Sequence, residues 1–560
     1  MNLRSGILLC LLCMPFPAAW AQSLSDEVGR DLKSPAIVTQ FSGGETLRLP
    51  VPLAGFYAAR HDAPGWVADA GPLPAAQQML EAIRRSRDDG LSPTDYHFHA
   101  LNGLLDSLHE EGLPPEARRQ RLAALELLLS DAFLLLDLHA ANGRVNPADM
   151  TPQKARAGIL EPLFQQLNAV MSGADPVALI ENNEPHNFEY RSLRAALSRY
   201  RAIEAGGGFQ PVPAGSTLRV GDSGARVELL IARLEADGDL NSADITGPGA
   251  VYGPAVSAAV KRFQSRYGLQ SDGVAGAATI AAMNEPVEQL IERLRLNMER
   301  WRWLPRDLPA TRVMVNIAGF HAILFDQDKS VLDAKVIVGQ TARQTPEFND
   351  QIRYLVVNPS WDVPASIAGE ELLPKVQADS GYLKRHGYVA LQGWGAAERE
   401  IDPASVNWKQ WTAETLPYHF RQAPGPENPL GKVKFIFPNG FDVYMHDTPA
   451  QELFGASRCT FSHGCIRVAR AMDLAAALLK LDGRRDPAEF LARAVASGQT
   501  QRLDLDHPVP IYIVYLTAWV NGAGVLEFRP DVYERDPELL HALNAPLAEN
   551  SSCCIASVQH

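Results

Sequence analysis

The sequence predicts a multidomain α+β protein, on three observations. The chain has 560 residues, more than one hydrophobic core organises, so two to four domains are expected. Apolar residues recur at helical spacing in most segments up to Leu304. From Arg312 the pattern changes to alternation, the signature of β-strands. Apolar content of 46% with 21% charge is ordinary for globular protein.

The N-terminus reads as an export signal over residues 1–21. Arg4 supplies the charge, Ile7 to Met14 the apolar region, and Ala19-Trp20-Ala21 the small-x-small cleavage site. The apolar run is short and broken by Pro15 and Pro17, so a permanent span is not expected. Cys10 and Cys13 lack the small residues that precede a lipid-modified cysteine. No other stretch is apolar enough to cross a bilayer, so the mature chain is expected to have no transmembrane segment. Net charge is -13, and about one unit more negative once Arg4 is removed, which argues against nucleic acid as the main partner. It does not argue against a zwitterionic peptide. Cys459, Cys465, Cys553 and Cys554 remain, too few for a disulfide scaffold. The adjacent Cys553 and Cys554 lie in a Ser-rich tail and are treated as peripheral.

Residues 22–205 read as a helical domain. Met79, Leu80 and Ile83 follow Leu73-Pro74 at helical spacing and end near Gly90. A longer helix runs from about Pro115 to Ala141. Leu122, Leu125, Leu128, Leu129, Phe133 and Leu136 lie on one side, and Glu126, Asp131 and Asp137 interrupt it, which predicts an amphipathic core helix. His97 and His99 lack further ligands nearby in sequence, so a loop entering a helix is preferred to a metal site. Gly206-Gly207-Gly208 with Pro211, Pro213 and Gly215 marks a linker.

Residues 216–285 form a small unit. One helix carries Val227, Leu230, Ile231 and Leu234, and a second carries Val256, Val260, Phe263 and Tyr267. Asp272-Gly273 marks a turn before a third. Residues 287–304 are a connecting helix. A mainly-β domain is assigned to 287–535, with strands at Val313–Ile317, Ile323–Phe325, Lys335–Gly339 and Tyr354–Val357. The strand signal fades over about 366–428, where only a helix near Gly369 to Val376 is predicted. A loop-rich insertion of that length inside a compact domain is often functional. Lys432 to Phe437, Pro438-Asn439-Gly440 and Phe441 to His446 read as a hairpin. It sets Asp442, Tyr444 and His446 on one face and Phe441, Val443 and Met445 on the other. A helix from about Ala469 to Leu481, a last strand from Pro510 to Leu516 and a tail at 536–560 complete the chain.

The chemistry centres on Ser462-His463-Gly464-Cys465-Ile466-Arg467-Val468 and on His446 upstream. A thiol is mostly protonated at neutral pH, and a neighbouring imidazole either takes its proton or stabilises the thiolate. Cys465 and His446 are therefore a candidate nucleophile and base. Backbone N–H groups of Gly464 and Cys465 are candidate oxyanion donors, and Gly464 permits a shape that a Cβ resists. Ser462, His463, Arg467, Tyr444 and Trp361 are the candidate substrate-binding set. Ser462 positions the loop, and His463 is read as structural rather than a second base. Arg467 either holds a substrate carboxylate or pairs with a neighbouring acid. Tyr444 and Trp361 are pocket walls or core.

His446, then fifteen residues, then Ser-His-Gly-Cys, a hydrophobic residue and Arg resembles the signature of the L,D-transpeptidases (YkuD-type) of bacterial cell-wall synthesis. Asn358-Pro359-Ser360-Trp361-Asp362-Val363-Pro364 resembles the Asn-Pro-aromatic-x-x-Pro segment beside that active site. Residues 216–285 resemble the three-helix peptidoglycan-binding domain. Phe56-Tyr57 to Pro64-Gly65-Trp66 and the following helices resemble the N-terminal scaffold of the large members. The resemblance implies a helical scaffold, a peptidoglycan-binding domain and a mainly-β catalytic domain whose 366–428 insertion is a lid over the cleft. It implies that the Asp447 main-chain carbonyl orients His446. It also implies a periplasmic enzyme making 3–3 cross-links from tetrapeptide stems, with no cofactor, and acylation of Cys465 by carbapenems. Implied partners are peptidoglycan stem peptides and glycan, with other cell-wall enzymes as further candidates. The family often has an Arg where this chain has Cys459, so oxidation to a Cys459–Cys465 disulfide is an open expectation. A zinc site on Cys459, His463, Cys465 and His446, and a wall-binding scaffold with a decayed site, are the rival readings.

Overall fold

A computed structural model describes residues 23–34, 44–146, 160–245 and 250–547. The expected export signal, Cys553 and Cys554 lie outside the described residues. The chain divides into two compact units, residues 1–144, 156–184 and 545–560 in one and residues 145–155 and 185–544 in the other.

The first unit is built on the helix Pro115–Asn142, which Pro115 opens and Gly143 closes. Burial here differs from the one-sided expectation. Leu122 to Ala140 are buried without a break, as in a helix surrounded by protein. The interrupting acids are inside as well, because each has hydrogen-bond donors to receive. Glu126 accepts the backbone N–H groups of Gly65, Trp66 and Val67 and the Tyr57 hydroxyl. Asp131 accepts those of Arg48 and Leu49, and Asp137 accepts the Asn183 amide. His97 stands at the start of the helix Phe98–Ser107, as the loop reading expects. It is buried between Asp131 at 2.7 Å and Glu45 at 3.0 Å.

In the second unit, the helix Phe188–Ala205 shares a core with the later segments, so the compact boundary falls before the predicted linker. The linker is itself pegged: Val212 is buried and exchanges two hydrogen bonds with the Asn284 amide. The helices Ala225–Asp237, Pro254–Arg266 and Ala277–Met283 bury the predicted apolar stripe. Val287–Arg302 follows as the connecting helix.

The β domain holds strands β1 (Arg312–Asn316), β2 (His321–Asp326), β3 (Lys329–Gly339) and β4 (Phe348–Val357). The insertion supplies β5 (Trp361–Asp362), β6 (Tyr388–Gln392), β7 (Arg399–Ile401) and β8 (Tyr418–Gln422). Then come β9 (Val433–Ile436), β10 (Met445–His446), β11 (Thr460–Ser462), β12 (Ile466–Val468) and β13 (Gln501–Val514). Nine of these form one sheet in the order β11-β3-β12-β10-β9-β4-β13-β1-β2. The helices Ala471–Leu481 and Pro487–Ala496 share the core of this sheet.

Four expectations are corrected. The insertion is not loop-rich: β5-β8-β6-β7 make a four-stranded sheet with its own core of Val363, Leu372, Val376, Leu383, Trp408 and Phe420. Its strands are short and mix polar with aromatic residues, which hid their period. The return strand of the hairpin is only Met445–His446. The Asn439 side chain bonds the backbone of Phe437, Phe441 and Val443, and Asp442 takes φ +55°. The last long strand begins at Gln501, with its register shifting between Asp504 and Val509. The tail after Asp536 begins as a helix, Asp536–Asn544, packed on Leu296.

Candidate active site

β3 lies between β11 and β12, and the Ser462–Cys465 loop crosses from one to the other at the Gly339 end of β3. That crossing needs a backbone that few residues adopt, and Gly464 supplies it at φ +117°. The Ser462 hydroxyl donates to the Cys465 carbonyl and accepts the Gly464 N–H, so Ser462 does position the loop. Buried Thr345 fixes it from below. Its hydroxyl donates to the Gly464 carbonyl at 2.8 Å and accepts the Gly339 N–H at 2.9 Å. The Tyr533 hydroxyl accepts the Thr345 N–H and donates to the Gly339 carbonyl. The nucleophile loop is thus tied to three backbone segments.

His446 is 4% exposed. Its Nδ1 donates to the Asp447 carbonyl at 2.6 Å, which leaves Nε2 as the acceptor nitrogen. The Asp447 carboxylate is turned away, accepting the Lys432 N–H and the Gln451 amide. Gly431, at φ +60°, makes room for that carboxylate, where a Cβ would sit 2.4 Å from Oδ2.

The sheet register places two cations beside this imidazole. His446 pairs with Lys434 on β9 and with Arg467 on β12. Phe435, Met445 and Ile466 occupy the opposite face, fully buried in the core. Burial, the Arg467 guanidinium and the Lys434 ammonium hold the His446 pKa down to about 3, against the pull of the Asp447 and Pro429 carbonyls. Burial also pushes the Cys465 thiol up, despite donors from Tyr444. Both groups therefore rest neutral, Cys465 as a thiol that donates to the Asp442 carbonyl and His446 as an imidazole.

Tyr444 hydrogen-bonds Cys465 and Trp361, and burial raises its hydroxyl well above the ordinary range. Trp361 opens the insertion sheet as β5 and packs on the insertion core, so of the two residues read as walls or core, Tyr444 meets Cys465 and Trp361 meets Tyr444. His463 does not face Cys465 as a second base. Its Nε2 meets Glu371 of the insertion at 2.9 Å. The neighbouring Glu370 pairs with Arg343. Both acids sit in a π-turn, Ala368–Leu372, a rare feature often found at functional sites.

Two site expectations change. The Gly464 N–H is engaged by Ser462, so it is not an open oxyanion donor. Among the described residues, the Cys465 N–H has no hydrogen-bond partner. Cys459 and Cys465 are free thiols on opposite sides of β3, beside β11 and β12. Two strand spacings put their Cα atoms about 10 Å apart, beyond the roughly 7 Å a disulfide spans without backbone movement. Cys459 is instead a core residue whose thiol donates to the Ala456 carbonyl.

Sequence reasoning missed Lys434, Thr345, Tyr533 and Glu371. Lys434 had a signal, since pairing across Gly440 sets position 434 opposite 446. The other three reach the site from distant segments, Thr345 and Tyr533 on loops and Glu371 on the π-turn, and had none.

Family models match the chain in three places. Residues 52–197 match one described as "Scaffold domain", and residues 223–283 one described as "Putative peptidoglycan binding domain". The third match is to the L,D-transpeptidase catalytic domain, over residues 310–500. That third match lies in the β-rich C-terminal part of the chain. The multidomain α+β architecture, with these three domains in this order, agrees with the expected fold class. A curated relative, "Putative L,D-transpeptidase" of Haemophilus influenzae, is 32% identical over 250 residues, covering 45% of this chain and 49% of the relative. The chain thus spans about half the length of that relative. Among solved structures, an L,D-transpeptidase of Xylanimonas cellulosilytica is 15% identical, covering 55% of this chain and 100% of that one, with a TM-score of 0.18. One of Stackebrandtia nassauensis is 13% identical, covering 55% and 97%, with a TM-score of 0.22. Among the described residues, no group of three or more His, Cys, Asp or Glu side chains is arranged to hold a metal ion. Nor is any helix among them long and apolar enough to cross a membrane.

Proposed function

We propose that this protein is an exported L,D-transpeptidase that joins peptidoglycan stems through a cysteine acyl-enzyme. The observation that carries this is a neutral His446, its Nδ1–H given to the Asp447 carbonyl, on the strand β10 that lies beside β12, which Cys465 directly precedes, within residues that match the L,D-transpeptidase catalytic domain. His446 Nε2 takes the thiol proton as sulfur attacks the carbonyl of the third stem residue. The Cys465 N–H and the Tyr444 hydroxyl are the donors for the developing oxyanion. The bond to the terminal D-Ala breaks, and its amine leaves with the proton from His446. A side-chain amine of a second stem then attacks the thioester, His446 takes its proton, and the thiol returns. A diaminopimelate acceptor gives a 3–3 cross-link.

The peptidoglycan-binding domain supports a wall-bound substrate, and a periplasmic location follows from the expected export signal. Carbapenems, as strained acyl donors, are expected to acylate Cys465. The test is product analysis after incubation with disaccharide-tetrapeptide. Fragmentation revealing a 3–3 linked dimer supports the proposal. Tripeptide alone would replace it with a carboxypeptidase, and no product from a folded, reduced enzyme would remove it.

A further inference from the structure

Lys434 and Arg467 flank His446 on the same face of the sheet. Strand spacing sets their Cα atoms about 10 Å apart, with the imidazole between them. Lys434 Nζ lies 5.4 Å from the centre of the Tyr444 ring, the ring that hydrogen-bonds Cys465. Among the described residues, neither cation forms an ion pair. The nearby Asp362 carboxylate is bound to Arg421. Arg467 Nε is buried with no hydrogen-bond partner. Burial lowers the pKa of both cations. Uncompensated partly buried charge is costly, and it persists where something else completes it.

We propose that Lys434 and Arg467 together grip a carboxylate of the substrate, the C-terminal carboxylate of the donor stem. This rests on the acyl-transfer reading above and deepens it. That carboxylate lies one residue beyond the scissile carbonyl, within reach of groups that flank the base. A stem one residue longer carries an amide at that point and loses the contact, so the pair selects tetrapeptide over pentapeptide donors. A seated carboxylate also offsets the two positive charges that oppose protonation of His446. The base then gains strength when the correct donor is bound. The sequence marked Arg467 alone, and the geometry adds Lys434 as the second arm.

The test compares two alkylating agents of similar size on Cys465, anionic iodoacetate and neutral iodoacetamide, followed by intact mass. Each forms a carbon–sulfur bond with loss of iodide and the thiol proton. The expected result is a ratio of the two rates (iodoacetate over iodoacetamide) that falls about tenfold in Lys434→Gln, as loss of a charge-assisted contact requires, and returns in Lys434→Arg. Correspondingly, Lys434→Gln raises KM for a tetrapeptide acid but not for its C-terminal carboxamide. An unchanged ratio, with both reagents slowed equally, overturns the grip and makes Lys434 a partner of the thiolate. Alkylation by neither reagent in folded, reduced protein removes the nucleophile reading itself, a distinct outcome. Equal KM for acid and carboxamide in the parent also overturns the grip.

Discussion

Two buried histidines sit in opposite electrostatic surroundings. In the first unit, His97 lies between the carboxylates of Asp131 and Glu45, and their hydrogen bonds and charges outweigh burial and raise its pKa to about 9. In the second unit, His446 lies between the cations Lys434 and Arg467, and burial plus their charge lower its pKa to about 3. The same side chain is thus a fixed cation in one place and a free base in the other. Burial opposes charge in both, and the sign of the neighbours decides the outcome. The lesson is that a histidine between acids holds a fold, whereas one between cations is kept ready to accept a proton.

Replacing each histidine by glutamine sharpens the contrast most. His446→Gln is expected to lower the acylation rate about a thousandfold by removing the base, with little change in denaturant midpoint. His97→Gln is expected to do the reverse, costing about 3 kcal/mol in urea unfolding by leaving buried carboxylates unpaired, with acylation per folded molecule unchanged. Equal stability losses would break the comparison.

The pH dependence of Cys465 reactivity comes next. A neutral resting pair predicts iodoacetamide alkylation that climbs about tenfold per pH unit from pH 5 to 8, tracking thiolate. A plateau across that range would reveal a standing ion pair instead.

Stability against pH separates the two sites by direction. His97 has a folded pKa above its unfolded value near 6.5, so its contribution is full below 6.5 and disappears as pH rises through about 9. His446 has a folded pKa below that value, so its contribution is present above 6.5 and falls away as pH drops toward 3. Urea titrations of the parent and the two glutamine variants resolve both windows.

Smaller effects test the supports. Thr345→Val removes the hydroxyl that bonds both Gly339 and Gly464, and about a tenfold loss of kcat is expected through the loop, since a slightly misplaced nucleophile is slow. Glu371→Gln weakens a half-exposed contact to His463 and is expected to change stability by under about 1 kcal/mol.

Much of this was legible in the sequence because it is local. The Cys465 loop, the Pro438-Asn439-Gly440 turn and the long central helix each announce themselves within a few residues. The Asp447 carbonyl contact came from family resemblance and matches the geometry. What stayed hidden depends on register or on distant segments. Glu126 and Asp131 read only as interruptions of an amphipathic helix, because the donors that let them be buried come from segments some sixty to eighty residues earlier. Tyr533 reaches the nucleophile loop from beyond the last long strand, where a tail was expected soon after. The insertion strands escaped notice because they are two to five residues long, too short to show a period of two.

The most direct test of the account is intact mass during the first turnover with disaccharide-tetrapeptide, followed by peptide mapping. The account predicts a transient thioester on Cys465, carrying the stem less its terminal D-Ala, present in the parent and absent in Cys465→Ala. Turnover to cross-linked product by Cys465→Ala, or an adduct mapped to any other residue, would contradict it.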